Sequence, residues 1–412
     1  MDIDQTGGDK AKLSDEQQGL ALIARQKATN FPPGNEFQYS NSGYFLLRLI
    51  VKRVSGKTLH EFQEANIGAP LGMKHTHFHD NLPKIDPLLA TGYTTTGKSE
   101  SCCKGGLWSN VEDLLLWDRN FYHKKVGGQA LQDELHRVGM LTNGEKLTYA
   151  SGLRVSDYRG LPTVHHGGES TIYLSMMVRF PQQNFSVVCL CNFESANPSD
   201  LAYRVVDIFL ADQFKKETVD VNRTAAAPDI IIPEKELASL AGLYFDPIKE
   251  GIIRFYMNNG KLMLDPDFRM GNDFVLSPLS QNHFRVVGAP HEVVFIRHIG
   301  GGRMQVKDKD ISSGKTVTYD AVQSLTLTPA QLADFTGKYI SDELEGATYT
   351  LSVKDGKLNL QVGNQKDVLL TPAFADAFVG RGIMRFTRNQ QNAVSGFTVT
   401  IGSVRRLRFD KQ

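Results

Sequence analysis

Two short segments of the sequence place side chains that could act on a carbonyl substrate. Tyr39 and Asn41 lie in Q-Y-S-N-S-G-Y (38–44), after the turn-forming F-P-P-G and before an apolar helical pattern. His166 lies in H-H-G-G (165–168), directly before two strand-like runs. Tyrosine and histidine can exchange protons, and an asparagine amide can hold a polar substrate group. Taken singly, Tyr39 is typical of a capping aromatic residue and Asn41 of a turn.

The order of three motifs gives these residues a common context. Y-S-N at 39–41 is followed by G-G-L-W-S-N-V-E-D-L at 105–114 and then by H-H-G-G. Together they resemble the serine β-lactamase and penicillin-binding-protein family, in its branch of esterases, D-aminopeptidases and class C β-lactamase-like hydrolases. The resemblance extends over residues 14–214 and includes V-S-G-K-T-L-H-E-F and A-P-L-G-M.

The resemblance implies catalytic roles for three residues. In this family a serine nucleophile meets a Y-x-N loop and an H-x-G strand, because a serine hydroxyl needs a base within hydrogen-bond reach. Tyr39 matches the tyrosine that takes or relays the proton, and Asn41 matches the residue that holds the substrate amide. His166 matches the first position of H-x-G, where a proton-bearing group faces the substrate.

The resemblance also implies a substrate-binding strand at 166–169. Gly167 and Gly168 would let the substrate lie against the strand, and the Glu169 backbone N–H would form half of an oxyanion hole. His165 also fits an H-x-G pattern. The distance to R-F-P at 179–181 favours His166.

The nucleophile motif is missing from its expected place. No S-x-x-K string precedes Tyr39, and Ser14 is followed by D-E-Q. We therefore expect that about 60–80 residues of an ordinary family member are absent, with two strands and the helix that presents the serine. S-C-C-K places Ser101 and Lys104 after the Y-x-N loop, which is the wrong order, and S-S-G-K at 312–315 marks a hairpin tip.

H-T-H-F-H-D at 75–80 offers a metal-binding alternative. His75, His77 and His79 alternate, so in a strand they share one face, as zinc ligands can. The sequence shows no second ligand cluster, which favours a structural role or adventitious binding over a catalytic metal. We expect no cofactor.

Composition narrows the classes of partner. The 46 Lys and Arg nearly balance the 45 Asp and Glu, giving a net charge of +1 without a basic stripe, which disfavours nucleic acid. The longest apolar stretch is too short to span a bilayer. The polar N-terminus lacks the apolar core of a signal peptide, so we expect a cytoplasmic location, although members of the family are often periplasmic or secreted.

The first half of the chain reads as helices and strands. Capping boxes are predicted at Ser14 with Gln17, Thr58 with Glu61, and Ser109 with Glu112. The 42–55 pattern predicts a helix with Leu46, Leu47, Ile50, Val51 and Val54 facing the core. The runs 171–180 and 184–193 predict an antiparallel hairpin. Its second strand would be an open apolar edge, which we expect a second copy of the chain, the N-terminal segment or the β domain to cover.

The second half carries an internal repeat. L-A-G-L-Y (240–244) recurs as F-T-G-K-Y (335–339), and N-G-K-L-M-L (259–264) recurs as D-G-K-L-N-L (355–360). Two copies of one antiparallel unit explain this, forming one barrel or two small ones. We predict a β-lactamase-like domain at 1–215, a linker at 216–234, and a β domain at 235–412 with repeats at 236–329 and 330–412.

These patterns predict an α+β protein. Its first domain would be a β-lactamase/transpeptidase-like antiparallel sheet flanked by helices, and its second an all-β lipocalin-like barrel or paired half-barrel. The function expected from the resemblance is hydrolysis of a β-lactam, ester or amide in a small or peptide-like substrate through an acyl-enzyme. Two alternatives stay open: a pseudo-enzyme or binding module that keeps the pocket, and a metal-dependent hydrolase that uses the histidines at 75–79.

Overall fold

The chain folds into two compact units. The computed structural model describes residues 16–78, 89–98, 106–170, 172–215, 230–266, 273–289, 291–297, 303–311, 314–363 and 365–412. One unit, the α/β unit, comprises residues 16–19 and 31–215, and the other, the barrel unit, comprises residues 20–30 and 230–412. Most of the predicted linker, Ser14 and the 312–313 serines lie outside the described residues.

Seven helices precede or flank the sheet in the described part of the first half. They are α1 (Glu16–Ala24), α2 (Asn41–Ser55), α3 (Leu59–Gln63), α4 (Ala69–Leu71), α5 (Val111–His123), α6 (Gly128–His136) and α7 (Pro198–Phe209). A π-helical stretch, Glu64–Gly68, joins α3 to α4. Helix α2 begins where Ser40 Oγ accepts a hydrogen bond from the Gly43 N–H, and it ends at Gly56 with φ of 72°. Both features are standard helix caps.

The capping predictions have mixed outcomes. Thr58 and Glu61 form the predicted capping box at α3. The Ser109 prediction is wrong, because Asn110 caps α5 and accepts a hydrogen bond from the Asp113 N–H. Ser109 instead hydrogen-bonds Thr76, with 2.7 Å between the two hydroxyl oxygens.

The main sheet of the α/β unit is antiparallel and four-stranded. Its strands lie in sequence order, β5 (Arg154–Tyr158), β6 (Leu161–Ser170), β7 (Tyr173–Phe180) and β8 (Phe185–Cys191). Two short pairs precede it, β1 (His77–Phe78) with β4 (Leu107–Trp108), and β2 (Tyr93–Thr94) with β3 (Gly97–Lys98). The predicted hairpin is confirmed by the pairing of β7 with β8, which aligns Met176 with Cys189.

Helix α7 covers one face of this sheet. Val178 and Phe180 of β7 and Val206 of α7 are fully buried in the shared core. A buried ion pair joins α5 to the sheet, because Arg179 Nε donates to Asp118 Oδ1 at 2.7 Å. Ser186 of β8 donates a second hydrogen bond to the same carboxylate, at 3.0 Å.

The prediction that α2 faces the core is wrong for most of its apolar residues. Leu47, Ile50 and Val54 are 51%, 54% and 83% exposed, and Ser42 is the one fully buried residue of the helix. The helical period is as predicted, and Leu46 and Val51 are half-buried, but no described element covers these three side chains. Likewise, no strand of the described residues pairs with the outer edge of β8 along 185–191. Its cover by another chain stays a prediction.

Sixteen strands of the described chain form two closed barrels in the barrel unit. The first contains β9 (Gly242–Asp246), β10 (Gly251–Asn258), β11 (Lys261–Asp265), β12 (Phe274–Pro278), β13 (His283–Val286), β14 (His291–Ile296), β15 (Gln305–Asp310) and β16 (Thr316–Val322). The second contains β17 (Gly337–Ser341), β18 (Ala347–Lys354), β19 (Lys357–Val362), β20 (Val368–Phe374), β21 (Ala377–Val379), β22 (Ile383–Arg388), β23 (Val394–Ile401) and β24 (Val404–Lys411). The short helices α8 (Glu234–Ala238) and α9 (Pro329–Ala333) precede them.

The sequence repeat corresponds to one barrel each. Tyr244 and Tyr339 occupy the first strand of their barrels, and each buried hydroxyl donates to a backbone carbonyl four residues upstream, at 2.9 Å and 2.8 Å. N-G-K and D-G-K form the tight turns between the second and third strands. The α+β class and the all-β region are therefore confirmed, and the open choice is settled as two complete barrels.

The two barrels pack against each other. Glu250, in the turn before β10, accepts hydrogen bonds from Arg385 at 2.9 Å and from Thr400 at 2.5 Å, both in the second barrel. Beside them, Phe245 and Ile252 of the first barrel form one apolar cluster with Val379 and Ile383 of the second. Apart from this contact, each barrel has a separate core that contains several aromatic side chains.

Candidate active site

The Y-x-N loop lies at the start of α2. Tyr39 precedes the cap residue Ser40, and Asn41 is the first residue of the helix. Because Ser40 is extended and its side chain caps the helix, its two neighbours project from a fixed turn. Tyr39 is 39% exposed, so its phenol is open to solvent or to a ligand.

The H-x-G segment lies on β6, an inner strand of the sheet. In the register with β7, His166 pairs with Met177, Gly168 with Ser175 and Glu169 with Leu174. A Cβ atom at Gly168 would lie 2.5 Å from Ser175 Oγ, so the glycine keeps this stretch of the strand uncrowded. Gly167 and Gly168 are exposed.

Tyr149 brings the two segments together, and sequence reasoning missed it. Its hydroxyl lies 3.0 Å from His166 Nε2. The Tyr39 ring centroid is 6.2 Å from that of Tyr149 and 6.2 Å from that of His166. Three rings from distant parts of the sequence thus form one group, which we call the tyrosine–histidine cluster.

The hydrogen bonds of His166 define its tautomer. Its Nδ1 lies 2.5 Å from the Gly167 carbonyl oxygen, which can only accept, so Nδ1 carries a proton. In the neutral ring Nε2 then has a free lone pair and accepts from the Tyr149 hydroxyl. The Tyr149 proton is therefore directed at His166, and the tyrosine oxygen keeps lone pairs for a further donor.

Tyr149 is held in its neutral form. Burial, together with the neighbouring hydroxyls of Tyr44 and Tyr39, raises the pKa of Tyr149 to about 12, while Arg154 acts in the opposite direction. The Arg154 guanidinium lies 5.7 Å from the Tyr149 ring centroid. At neutral pH Tyr149 is a hydrogen-bond donor that orients His166 rather than a base.

A short turn and the pairing of β5 with β6 place Tyr149 near the histidines. Tyr149 forms an isolated antiparallel bridge with Arg154, and Arg154 pairs with His165 in the β5–β6 register. The motif Y-A-S-G-L-R is therefore a small turn that returns Tyr149 to the side of the histidines. Its signal is the chain reversal before a strand that pairs with H-H-G-G.

His165 differs in environment from His166. It is half-buried, and burial lowers its pKa, with further lowering from Arg154 and from the neighbouring His166 ring. His166, not His165, carries the hydrogen bond to Tyr149. The preference for His166, made on its spacing to R-F-P, stays a prediction, and this contact agrees with it.

The structure describes two of the three histidines of the metal-binding alternative, His75 and His77. Asp113 accepts hydrogen bonds from the His75 N–H at 2.7 Å and from the Thr76 hydroxyl at 2.8 Å, which fixes the segment before β1. The His77 ring lies edge-on to that of His60, with 6.5 Å between centroids. His79 lies outside the described residues, as do Ser101 and Lys104. Within the residues that are described, no three His, Cys, Asp or Glu side chains form a metal-binding group.

A family model identifies the family of the α/β unit. The family model described as Beta-lactamase matches residues 4–210, which is half of the chain. The chain belongs to the beta-lactamase family. In the parts of the chain that the structure describes, no helix is long and apolar enough to cross a membrane.

Curated relatives include hydrolases and penicillin-binding proteins. The D-aminopeptidase of Brucella anthropi is 23% identical over 202 residues, covering 47% of this chain and 38% of the relative. Penicillin-binding protein 4* of Bacillus subtilis is 27% identical over 187 residues, covering 40% of this chain and 41% of the relative. The chain thus spans about two fifths of the length of these relatives.

Two solved structures are among those that match the chain. The octameric penicillin-binding protein homologue from Pyrococcus abyssi shares 18% identity with a TM-score of 0.44, covering 88% of this chain and 72% of that one. The D-amino acid amidase from Ochrobactrum anthropi shares 19% identity with a TM-score of 0.40, covering 47% of this chain and 64% of that one.

Proposed function

We propose that this chain binds a carbonyl substrate, an ester, amide or β-lactam, in a pocket of the serine-hydrolase type. The observation that supports this most is the tyrosine–histidine cluster. Tyr149 orients His166, and Tyr39 lies beside both rings, so the groups that would surround a reacting carbonyl are assembled.

Each binding element has a distinct task in this proposal. Asn41 holds a polar group of the substrate from the start of α2, and His166 faces the carbonyl from β6. The Glu169 backbone N–H supplies one oxyanion donor, with Gly167 and Gly168 leaving room for the substrate beside the strand. Polarisation of a carbonyl by such donors stabilises binding even when no covalent bond forms.

Formation of an acyl-enzyme also requires a nucleophile. A nucleophile must lie about 3 Å from the carbonyl carbon, beside its base and the oxyanion donors. The chain has no S-x-x-K string before Tyr39, and a serine hydroxyl without an adjacent base is a weak nucleophile. We therefore expect reversible binding rather than an acyl-enzyme.

Labelling with a fluorescent penicillin tests this function. The purified chain should bind the penicillin reversibly, seen as fluorescence polarisation, and carry no label after denaturation. The His166→Ala variant should bind more weakly. A chelator should change nothing, whereas loss of binding on chelation would favour the metal-dependent alternative.

A covalent label would contradict the proposal, and variants would then find its source. If Ser101→Ala abolishes the label, S-C-C-K is a relocated nucleophile with Lys104 as its base. If the label survives in that variant, Ser40→Ala and Ser42→Ala test the two serines next to Tyr39. Absence of both reversible binding and label would show that the pocket does not recognise β-lactams.

A further inference from the structure

The α/β unit contains an apolar cavity that shares one residue, His166, with the tyrosine–histidine cluster. Its volume is about 400 Å³, and its walls come from α2, α3, α5, β6 and β7. Aromatic and aliphatic side chains dominate these walls, among them Phe62, Met73, Leu114, Trp117, Phe121 and Met177. Small-molecule sites occupy about 300–1,000 Å³, and an apolar cavity of about 150 Å³ already takes benzene.

One polar side chain of the cavity wall has no partner among the described residues. Gln63, the last residue of α3, is 6% exposed, and both its amide oxygen and its amide nitrogen lack a hydrogen bond there. A buried amide left unpaired destabilises a fold, so its presence in an apolar wall calls for a complementary group. Arg179 also lines the cavity, and its buried Nη1 has no hydrogen bond among the described residues, while its Nε donates to Asp118 Oδ1.

The chemistry of these groups selects among possible ligands. The Gln63 amide offers one acceptor and donors, so its best partner offers both as well. A carboxamide does so, because its oxygen accepts from N–H donors and its nitrogen donates to Gln63 Oε1. A carboxylate would place a negative oxygen against Oε1, and a hydrocarbon would leave the amide unpaired.

We propose that the cavity binds an apolar carboxamide, a medium-length alkyl or aryl-alkyl chain that ends in an amide. The chain fills the apolar space, and the amide pairs with Gln63. This inference rests on the proposed function, since His166 lines the cavity as well as the tyrosine–histidine cluster. It names the class of ligand for which that pocket has room.

Tryptophan fluorescence gives a direct readout of binding. The chain has two tryptophans, and Trp117 lines the cavity. In a Trp108→Phe background the emission reports on Trp117 alone. The probes are octanamide and 2-nonanone, which have the same shape but differ in the amide N–H groups, and octanoate as the charged analogue.

The decisive measurement is a ratio of affinities. Octanamide should bind saturably and more tightly than octanoate. The ratio of octanamide to 2-nonanone affinity should fall about tenfold in Gln63→Leu, because the paired amide is lost. Gln132→Leu is the matched control. Gln132 is an equally buried glutamine with an unpaired amide, but it lies outside the cavity, so the ratio should not change.

Three results would overturn the inference. They are failure of octanamide to bind, an unchanged ratio in Gln63→Leu, and undiminished binding in Val51→Phe, which places a larger ring in the cavity. Tighter binding of octanoate than of octanamide would also contradict it. These outcomes are measured separately from penicillin binding and labelling, so a failure of the proposed function and a failure of this inference can be told apart.

Discussion

The barrel unit and the α/β unit differ in how fully their strand edges, apolar side chains and polar groups are covered or paired. In the barrel unit each strand of both barrels has two neighbours, and the interiors are filled by aromatic side chains. In the α/β unit the described sheet ends at β8, Leu47, Ile50 and Val54 of α2 are exposed, and the wall of the cavity contains the unpaired Gln63 amide.

This difference separates a region built for stability from one built for binding. Closing a sheet into a barrel pairs every strand and leaves no edge. An open edge, a bare apolar stripe and an unfilled cavity each reduce stability, and such features are typical of sites that receive another molecule. The candidate active site lies in the unit that carries all three.

The largest effect is expected from the second barrel. Phe397 is 1% exposed and packs against the rings of Phe386 and Phe409. Phe397→Ala should lower the free energy of unfolding by about 3–5 kcal/mol, because removing the ring leaves a void that the closed barrel cannot contract to fill. Urea denaturation measures this, with the exposed Leu369→Ala as control. A loss below about 1 kcal/mol would mean that the barrel core is loosely packed.

A comparable effect is expected at one position of the α/β unit. Asp118→Ala leaves the Arg179 guanidinium buried without its counter-ion, which should cost about 3 kcal/mol or more. The exposed pair of Asp200 with Arg204 is the control, and Asp200→Ala should change stability by less than about 0.5 kcal/mol. Equal effects from the two variants would show that the buried pair does not hold α5 to the sheet.

Alkaline pH should destabilise the α/β unit through Tyr149. Burial raises its pKa to about 12, above the usual value near 10, so the folded state keeps a proton that the unfolded chain releases. This stabilisation is complete below about pH 10 and is lost as the pH rises toward 12. Unfolding curves at pH 9 and pH 11 should show a smaller pH-dependent loss in Tyr149→Phe than in the wild type. An identical loss would contradict this account.

Self-association should involve the open edge of the sheet. We propose that a second copy of the chain pairs with β8, where Leu190 is exposed. Light scattering should then show an oligomer for the wild type, and Leu190→Lys should shift it toward the monomer. A wild-type monomer at high concentration would remove the edge as a contact between copies.

The smallest effect is expected on the α2 stripe. Because Ile50 is 54% exposed, Ile50→Ser should change the free energy of unfolding by no more than about 0.5 kcal/mol. Denaturation of the isolated chain at low concentration measures this. A loss above about 2 kcal/mol would indicate that the stripe is covered in solution, which would weaken the contrast between the units.

The sequence predicted the helices and strands better than it predicted which residues pack against them. The period of 42–55 gave the helix correctly, but periodicity reports an apolar face and not its partner, so Leu47 and Val54 were wrongly placed in a core. The α5 cap was misplaced by one residue, because Ser109 and Asn110 are both good cap formers and backbone geometry decides between them.

The candidate site was predictable only where motifs exist. Tyr39 and His166 stood out because each lies in a short pattern typical of the family. Tyr149 has no such pattern, and its position depends on a turn and on the β5–β6 register, which are tertiary features. The barrel repeat was visible, but closure depends on pairing between strands that are far apart in the chain.

That pairing has a kinetic consequence. Closure of the first barrel aligns Leu243 with Val322, and closure of the second aligns Tyr339 with Lys411. Bringing such distant residues together costs chain entropy before any contact compensates for it, so all-β folds of this kind form slowly. The four strands of the α/β sheet pair only with their sequence neighbours, as fast-forming hairpins do. In refolding, we expect the sheet with the candidate site to gain its hydrogen bonds first and the barrels to set the final rate.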